Sequence, residues 1–105
     1  MPFIAAGADI SKARTNDGGT PLCIAAHQGH PTVVTKLIAS GADVDKALTT
    51  TGSTPLWMAA HNGHTAIVSK LLQHGADKSI RGFQNMTPLE QAQRMNRAAV
   101  VALLA

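Results

Sequence analysis

The chain has 105 residues but only one cysteine, Cys23, so no disulfide can form within it. A lone thiol fits a reducing compartment. Charge of one sign is nowhere concentrated: the nine basic residues are scattered from Lys12 to Arg97, and the formal net charge is +3. That scatter argues against a nucleic-acid arm or a membrane-surface patch, and leaves only a basic face assembled in three dimensions. No apolar run approaches the roughly 20 residues of a membrane span. The N-terminus lacks the basic, apolar and small-residue order of a secretory signal. A cytoplasmic protein is expected, with the nucleus left open and no membrane partner. No glycine-rich phosphate loop is present; Asp17-Gly18-Gly19 reads as a turn. A chain this short is one domain or one array, too small to enclose a large pocket.

What the sequence has is repetition. Thr54-Pro55-Leu56-Trp57-Met58-Ala59-Ala60-His61-Asn62-Gly63-His64 occurs earlier as Thr20-Pro21-Leu22-Cys23-Ile24-Ala25-Ala26-His27-Gln28-Gly29-His30. A worn copy follows as Thr87-Pro88-Leu89-Glu90-Gln91-Ala92. The threonines stand 34 and then 33 positions apart, and Gly-Ala-Asp triplets recur at Gly7, Gly41 and Gly75. A period of that length signals a stacked repeat array.

Each unit reads as two short helices. Thr20 caps the first through its hydroxyl, and Pro21 fits the first helical position, where its missing N–H is harmless. Leu22, Ala25 and Ala26 form the inward stripe, and Gly29 permits the reversal. The second helix starts at Pro31 or Thr32, buries Val33, Val34, Leu37 and Ile38, and stops at Gly41. The next unit repeats this with Leu56, Ala59 and Ala60, then Ile67, Val68, Leu71 and Leu72. In the last unit Thr87 and Glu90 have capping-box spacing. Val100, Val101 and Leu104 face inward there, and Leu103 is expected to be partly exposed. Gln91 and Gln93 replace apolar or alanine positions, as a solvated end cap requires. The aspartates of the triplets are expected to bond nearby turn backbone.

These landmarks resemble the ankyrin-repeat family, and the resemblance covers nearly the whole chain. It implies an all-α solenoid of stacked helix-turn-helix units joined by β-hairpin-like fingers. Residues 1–10 then form the tail of a truncated repeat, 11–43 and 44–77 two repeats, and 78–105 a C-terminal capping repeat. Phe3 and Ile4 have no polar helix before them, so self-association through that end is expected. The first two fingers are expected to be one residue longer than the third.

By the same resemblance the chain is a protein–protein interaction module, gripping a partner on a concave side made of finger tips and first helices. The implied contact positions are Arg14, Asn16 and Asp17 in the first finger, Thr50, Thr51 and Ser53 in the second, and Phe83, Gln84 and Met86 in the third. The helices add His27, Gln28, His61, Asn62 and Arg94. Trp57, the only tryptophan, stands where the family usually has histidine. It is either an interface anchor or a ring packed beneath a neighbouring finger. Two rival readings are a structural fragment of a longer array and nucleic-acid binding through a basic face.

Catalysis and cofactors find no support. Cys23 and His27 are one helical turn apart, but no third residue orients the histidine. The two H-x-x-H spacings, His27 with His30 and His61 with His64, are interrupted by helix-ending glycines, so neither pair shares a face to hold zinc. His30 and His64 are expected to bond the inter-helix turns instead. No enzyme activity, metal or cofactor is expected.

Overall fold

The computed structural model describes residues 19–105. The expectations for the truncated first repeat, for self-association through Phe3 and Ile4, and for Arg14, Asn16 and Asp17 lie outside the described residues.

Six α-helices follow one another in antiparallel pairs: α1 (Pro21–Gln28) with α2 (Pro31–Ala39), α3 (Pro55–His61) with α4 (Thr65–Gln73), and α5 (Pro88–Arg94) with α6 (Ala98–Leu104). The first helices pack side by side in the order α1, α3, α5, and the second helices in the order α2, α4, α6. The result is two helical layers stacked in sequence order.

Local chemistry explains why each first helix begins where it does. Thr20, Thr54 and Thr87 accept through Oγ1 from the backbone N–H of Cys23, Trp57 and Glu90, each at 3.2 Å. Such a cap satisfies one of the donors that a helix start leaves open. Proline follows at the first helical position in all three. In the third, the Glu90 carboxylate also accepts from the Thr87 N–H at 2.9 Å, completing the capping box. Behind α2 and α4, Gly41 and Gly75 take φ of 94° and 83° and turn the chain out of the helix. A left-handed residue at that place lets the following N–H reach back to the last turn: Ala42 bonds Leu37 and Ala76 bonds Leu71, both at 3.0 Å.

The core runs between the layers. Leu22, Ala25, Ala26, Val34, Leu37, Leu56, Ala59, Ala60, Ile67, Val68, Leu71, Ala92, Val100 and Leu104 are buried in one cluster. Val33, Ile38, Leu72 and Val101 sit at its edge, partly covered. Val101 matches Val68 in the repeat register, and it is less buried because it faces the far side of the last described repeat. Leu103 is 38% exposed.

Each described finger is closed by backbone bonds without an assigned strand. Leu48 N–H donates to Ser53 O at 2.9 Å and Gly52 N–H to Leu48 O at 2.8 Å. In the third finger Gly82 N–H donates to Met86 O at 2.8 Å. The closing pair spans one residue fewer there, and the tighter turn puts Gln84 and Asn85 at φ of 58° and 59°. The triplet aspartates do bond turn backbone: Asp43 Oδ1 accepts from Asp45 N–H at 3.0 Å, and Asp77 Oδ1 from Ser79 N–H at 2.8 Å. Asp45 in turn accepts from Asp77 N–H at 2.9 Å, tying one repeat to the next.

The last repeat departs from its expected polar character in two places. Gln91 is not solvated: it is 4% exposed. It occupies the position of Ile24 and Met58 and turns inward to His61, while Gln93 is exposed. The outer surface of α6 is apolar, because Ala98 to Leu104 contains no polar side chain and Ala98, Ala99, Ala102 and Leu103 are all exposed.

Candidate functional site

The fingers lie over the layer of first helices, and the position after Thr-Pro-Leu shows how they are held. Cys23, Trp57 and Glu90 occupy that position in the three units, each with a different solution. The Cys23 thiol donates to Lys46 O in the following finger at 3.3 Å. The Trp57 indole N–H donates to Met86 O in its following finger at 3.0 Å. Glu90 caps its own helix and pairs with Arg81 of the preceding finger at 3.0 Å. That surface pair is half exposed on both sides and adds little stability by itself.

Trp57 is therefore packed beneath the third finger. Only 4% of it is exposed. Its ring stacks on His61 with centroids 5.2 Å apart and planes inclined by 10°. Phe83 meets it edge-on at 6.5 Å. Phe83 itself is 49% exposed, so the ring caps the tryptophan and presents its other side outward. Gly82 makes this closeness feasible. A Cβ there would stand 2.7 Å from Ser53 Oγ and 2.8 Å from Trp57 Cδ1.

Ser53 also departs from its expected place at a finger surface. It is 1% exposed, and its Oγ accepts from Phe83 N–H at 3.1 Å and from Thr51 Oγ1 at 3.0 Å. It joins the second finger to the third. The reason for both changes is the same: the following finger folds down over the preceding one and covers whatever stands at its base.

The other implied contact residues that are described differ in exposure. His27, Gln28, Thr50, Phe83, Gln84 and Arg94 are exposed, while Thr51, His61, Asn62 and Met86 are partly so. Asn62 is half committed, since its Nδ2 donates to Met58 O at 3.0 Å. Arg94 reaches from α5 to the finger, donating through Nη1 to Gln84 Oε1 and, at 3.7 Å, to Met86 Sδ.

His61 sits at the centre. Gln91 Nε2 lies 2.7 Å from its Nδ1. An amide nitrogen only donates, so Nδ1 accepts and the neutral ring carries its proton on Nε2. Burial pushes the imidazole below its usual value, and the charges of Arg97, His27 and Arg94 push it the same way. The other oxygen of the Gln91 amide, Oε1, is buried without a hydrogen bond.

The turns between paired helices are locked from the next repeat. His64 Nε2 lies 3.0 Å from His27 O. One repeat on, Arg97 stands in the histidine's place and its Nε donates to His61 O at 3.1 Å. That Arg97 takes over the histidine's bond is visible only in the folded structure. Gln91 was missed as a partner of His61; nothing local in the sequence pairs two side chains 30 positions apart. Shallow clefts lie elsewhere among the described residues. One of about 340 Å³ is lined by Gln93, Asn96, Arg97, Ala98 and Val101. Another, of about 160 Å³, is lined by Gly63, Thr65, Arg97, Ala98, Ala99 and Val100. Neither holds any of the implied contact residues. Among the described residues no helix is long and apolar enough to cross a membrane.

Paired helices stacked in order, with fingers folded over one layer, define a helical-repeat solenoid. The family profile for ankyrin repeats in three copies matches residues 22–105. The chain belongs to the ankyrin-repeat family. Ankyrin repeats generally serve as protein–protein interaction modules. No curated protein matches the sequence.

Proposed function

We propose that this protein binds another protein on the side formed by the finger tips and the first helices, and that it does so by contact, not by catalysis. The observation that carries the reading is the exposed set on that side. His27, Gln28, Thr50, Phe83, Gln84 and Arg94 all point away from the core although they belong to well-packed repeats. Phe83 is a large apolar side chain left half uncovered, and aromatic residues beside arginine are the usual anchors of interfaces. Trp57 and Ser53 support the surface from below: they set the height of the third finger instead of touching the partner. A rigid scaffold of this kind loses little entropy on binding. The cytoplasm is the setting we assign, in keeping with the single buried cysteine.

The test is affinity capture from cell extract, read by mass spectrometry, with two surface variants. Phe83→Ser with Gln28→Ala alters the finger side, and Lys36→Ala with Lys70→Ala alters the α2 and α4 layer. Loss of the captured protein in the first variant and retention in the second is expected. The reverse pattern overturns the proposal.

A further inference from the structure

We infer that the partner surface recognised here is an acidic, extended segment carrying an apolar side chain, with Arg94 as its anchoring contact. The inference rests on the finger-side reading given above and adds the chemistry of what binds there.

The first observation is a column of histidine and arginine side chains. His27, His61 and Arg94 occupy one register position in the last turn of α1, α3 and α5. A basic group at a helix end also suits the helix dipole, but Arg94 does not turn to the terminal carbonyls of α5. Its Nη1 goes to the Gln84 side chain and to Met86 Sδ, on the finger side. Its guanidinium has five N–H donors in a planar fork, matched to a carboxylate.

The second observation is that, among the described residues, the same side is poor in acid. Neither the second finger tip, Leu48 to Ser53, nor the third, Gly82 to Met86, contains a carboxylate. Across α1, α3 and α5 the one acidic residue is Glu90, and its Oε1 is taken by Arg81 and by Thr87 N–H. Arg94 thus faces outward with no carboxylate bound to it among the described residues. The charges that act on His61 agree with this picture, since Arg97, His27 and Arg94 are all basic. With Gln91 donating to Nδ1, the neutral His61 ring also carries its N–H on Nε2, so it offers a further donor.

The third observation is the apolar neighbour. Phe83 is 49% exposed, and Met86 beside it is partly so. An acidic residue on Arg94 therefore has an apolar contact next to it. Neighbouring helices stand about 8–10 Å apart, and a chain in the extended polyproline conformation rises about 3.1 Å per residue and returns to the same face every third residue. Acidic residues at every third position match the column from Arg94 to His61 to His27.

The probes are two labelled 12-residue synthetic peptides read by fluorescence anisotropy. One has glutamate at every third position with leucine and phenylalanine between; the other has lysine in place of glutamate. Amide chemical shifts of the labelled protein are recorded in the same titrations. The acidic peptide is expected to bind, and to lose roughly fivefold or more in affinity in Arg94→Glu and in His27→Glu. Raising salt from about 50 to about 300 mM should weaken it too. The lysine peptide should bind the unaltered protein less well and gain on Arg94→Glu. Because His27 is exposed, His27→Glu carries the test even where Arg94→Glu disturbs the third finger. Equal affinity for the two peptides, or no binding of the acidic one, overturns the inference. If shifts still cluster on the finger tips and α1, α3 and α5 while charge has no effect, the finger-side reading stands and the acidic partner falls. Shifts confined to α2, α4 and α6 remove both.

Discussion

Gly29→Ala gives the sharpest test of how the repeats are locked together. Two effects act there and can be separated. Gly29 has φ of +79°, a left-handed conformation in which a side chain costs about 1–2 kcal/mol. A Cβ would also stand 2.6 Å from Cε1, 2.9 Å from Nδ1 and 3.0 Å from Nε2 of His64. The ring is planar and cannot give way without leaving His27 O, which it meets at 3.0 Å. Overpacking adds about 1–3 kcal/mol, and loss of that hydrogen bond about 0.5–1.5 kcal/mol. A total of about 2.5–6.5 kcal/mol is expected from these terms. Gly75→Ala is the control: φ there is +83°, and a Cβ meets nothing within 4 Å. It should cost only the conformational part, about 1–2 kcal/mol. Gly63→Ala should fall between, because its neighbour is the flexible Arg97 side chain, 3.0 Å away at Cδ. Urea unfolding followed by Trp57 fluorescence reads all three, since the only tryptophan is buried. In a His64→Ala background the cost of Gly29→Ala should fall to within about 0.5 kcal/mol of Gly75→Ala. Equal costs for Gly29→Ala and Gly75→Ala in the unaltered background refute the inter-repeat lock.

Three further outcomes are expected. Val68→Ala should cost about 1–3 kcal/mol in the same urea assay, the range for trimming a buried aliphatic side chain; Val68 is fully buried between repeats. Gln91→Met removes a buried oxygen without a hydrogen bond but also the Nε2 donor that His61 Nδ1 accepts from, so the two effects should nearly offset and stability should change by less than about 1 kcal/mol; a loss of about 3 kcal/mol or more counts against this account. His61 titrates below its usual value of about 6.5 because of burial and its basic neighbours. The unfolded chain therefore takes up the proton first, so its contribution weakens stability as pH falls below about 6.5 toward the lowered folded value, and is absent above that range. Thermal unfolding from pH 7.5 to 5 should show this fall, and His61→Gln should flatten it.

Much of the architecture was legible because it is local and repeated. The Thr-Pro-Leu starts became three capped helices, since a hydroxyl and a proline act within one turn. Gly29, Gly41 and Gly75 took the left-handed turns required of them. Thr87 and Glu90 formed their box, and the shorter third finger followed from counting residues. Leucine, valine and alanine at helical spacing formed the core between the layers.

Sequence alone determined the period, the helix boundaries, the inward stripes and the family. The tertiary structure decided which side chains the fingers cover. Trp57 could have been an anchor or a packed ring; its indole bonds Met86 O, 29 positions away, and that contact exists only once the next finger has folded down. Ser53 went under the same finger, and Gln91 found His61 across the repeat boundary. Periodicity reports which face of its own helix a residue occupies. Whether that face stays open depends on a neighbouring repeat, whose loop length and side chains no local pattern encodes.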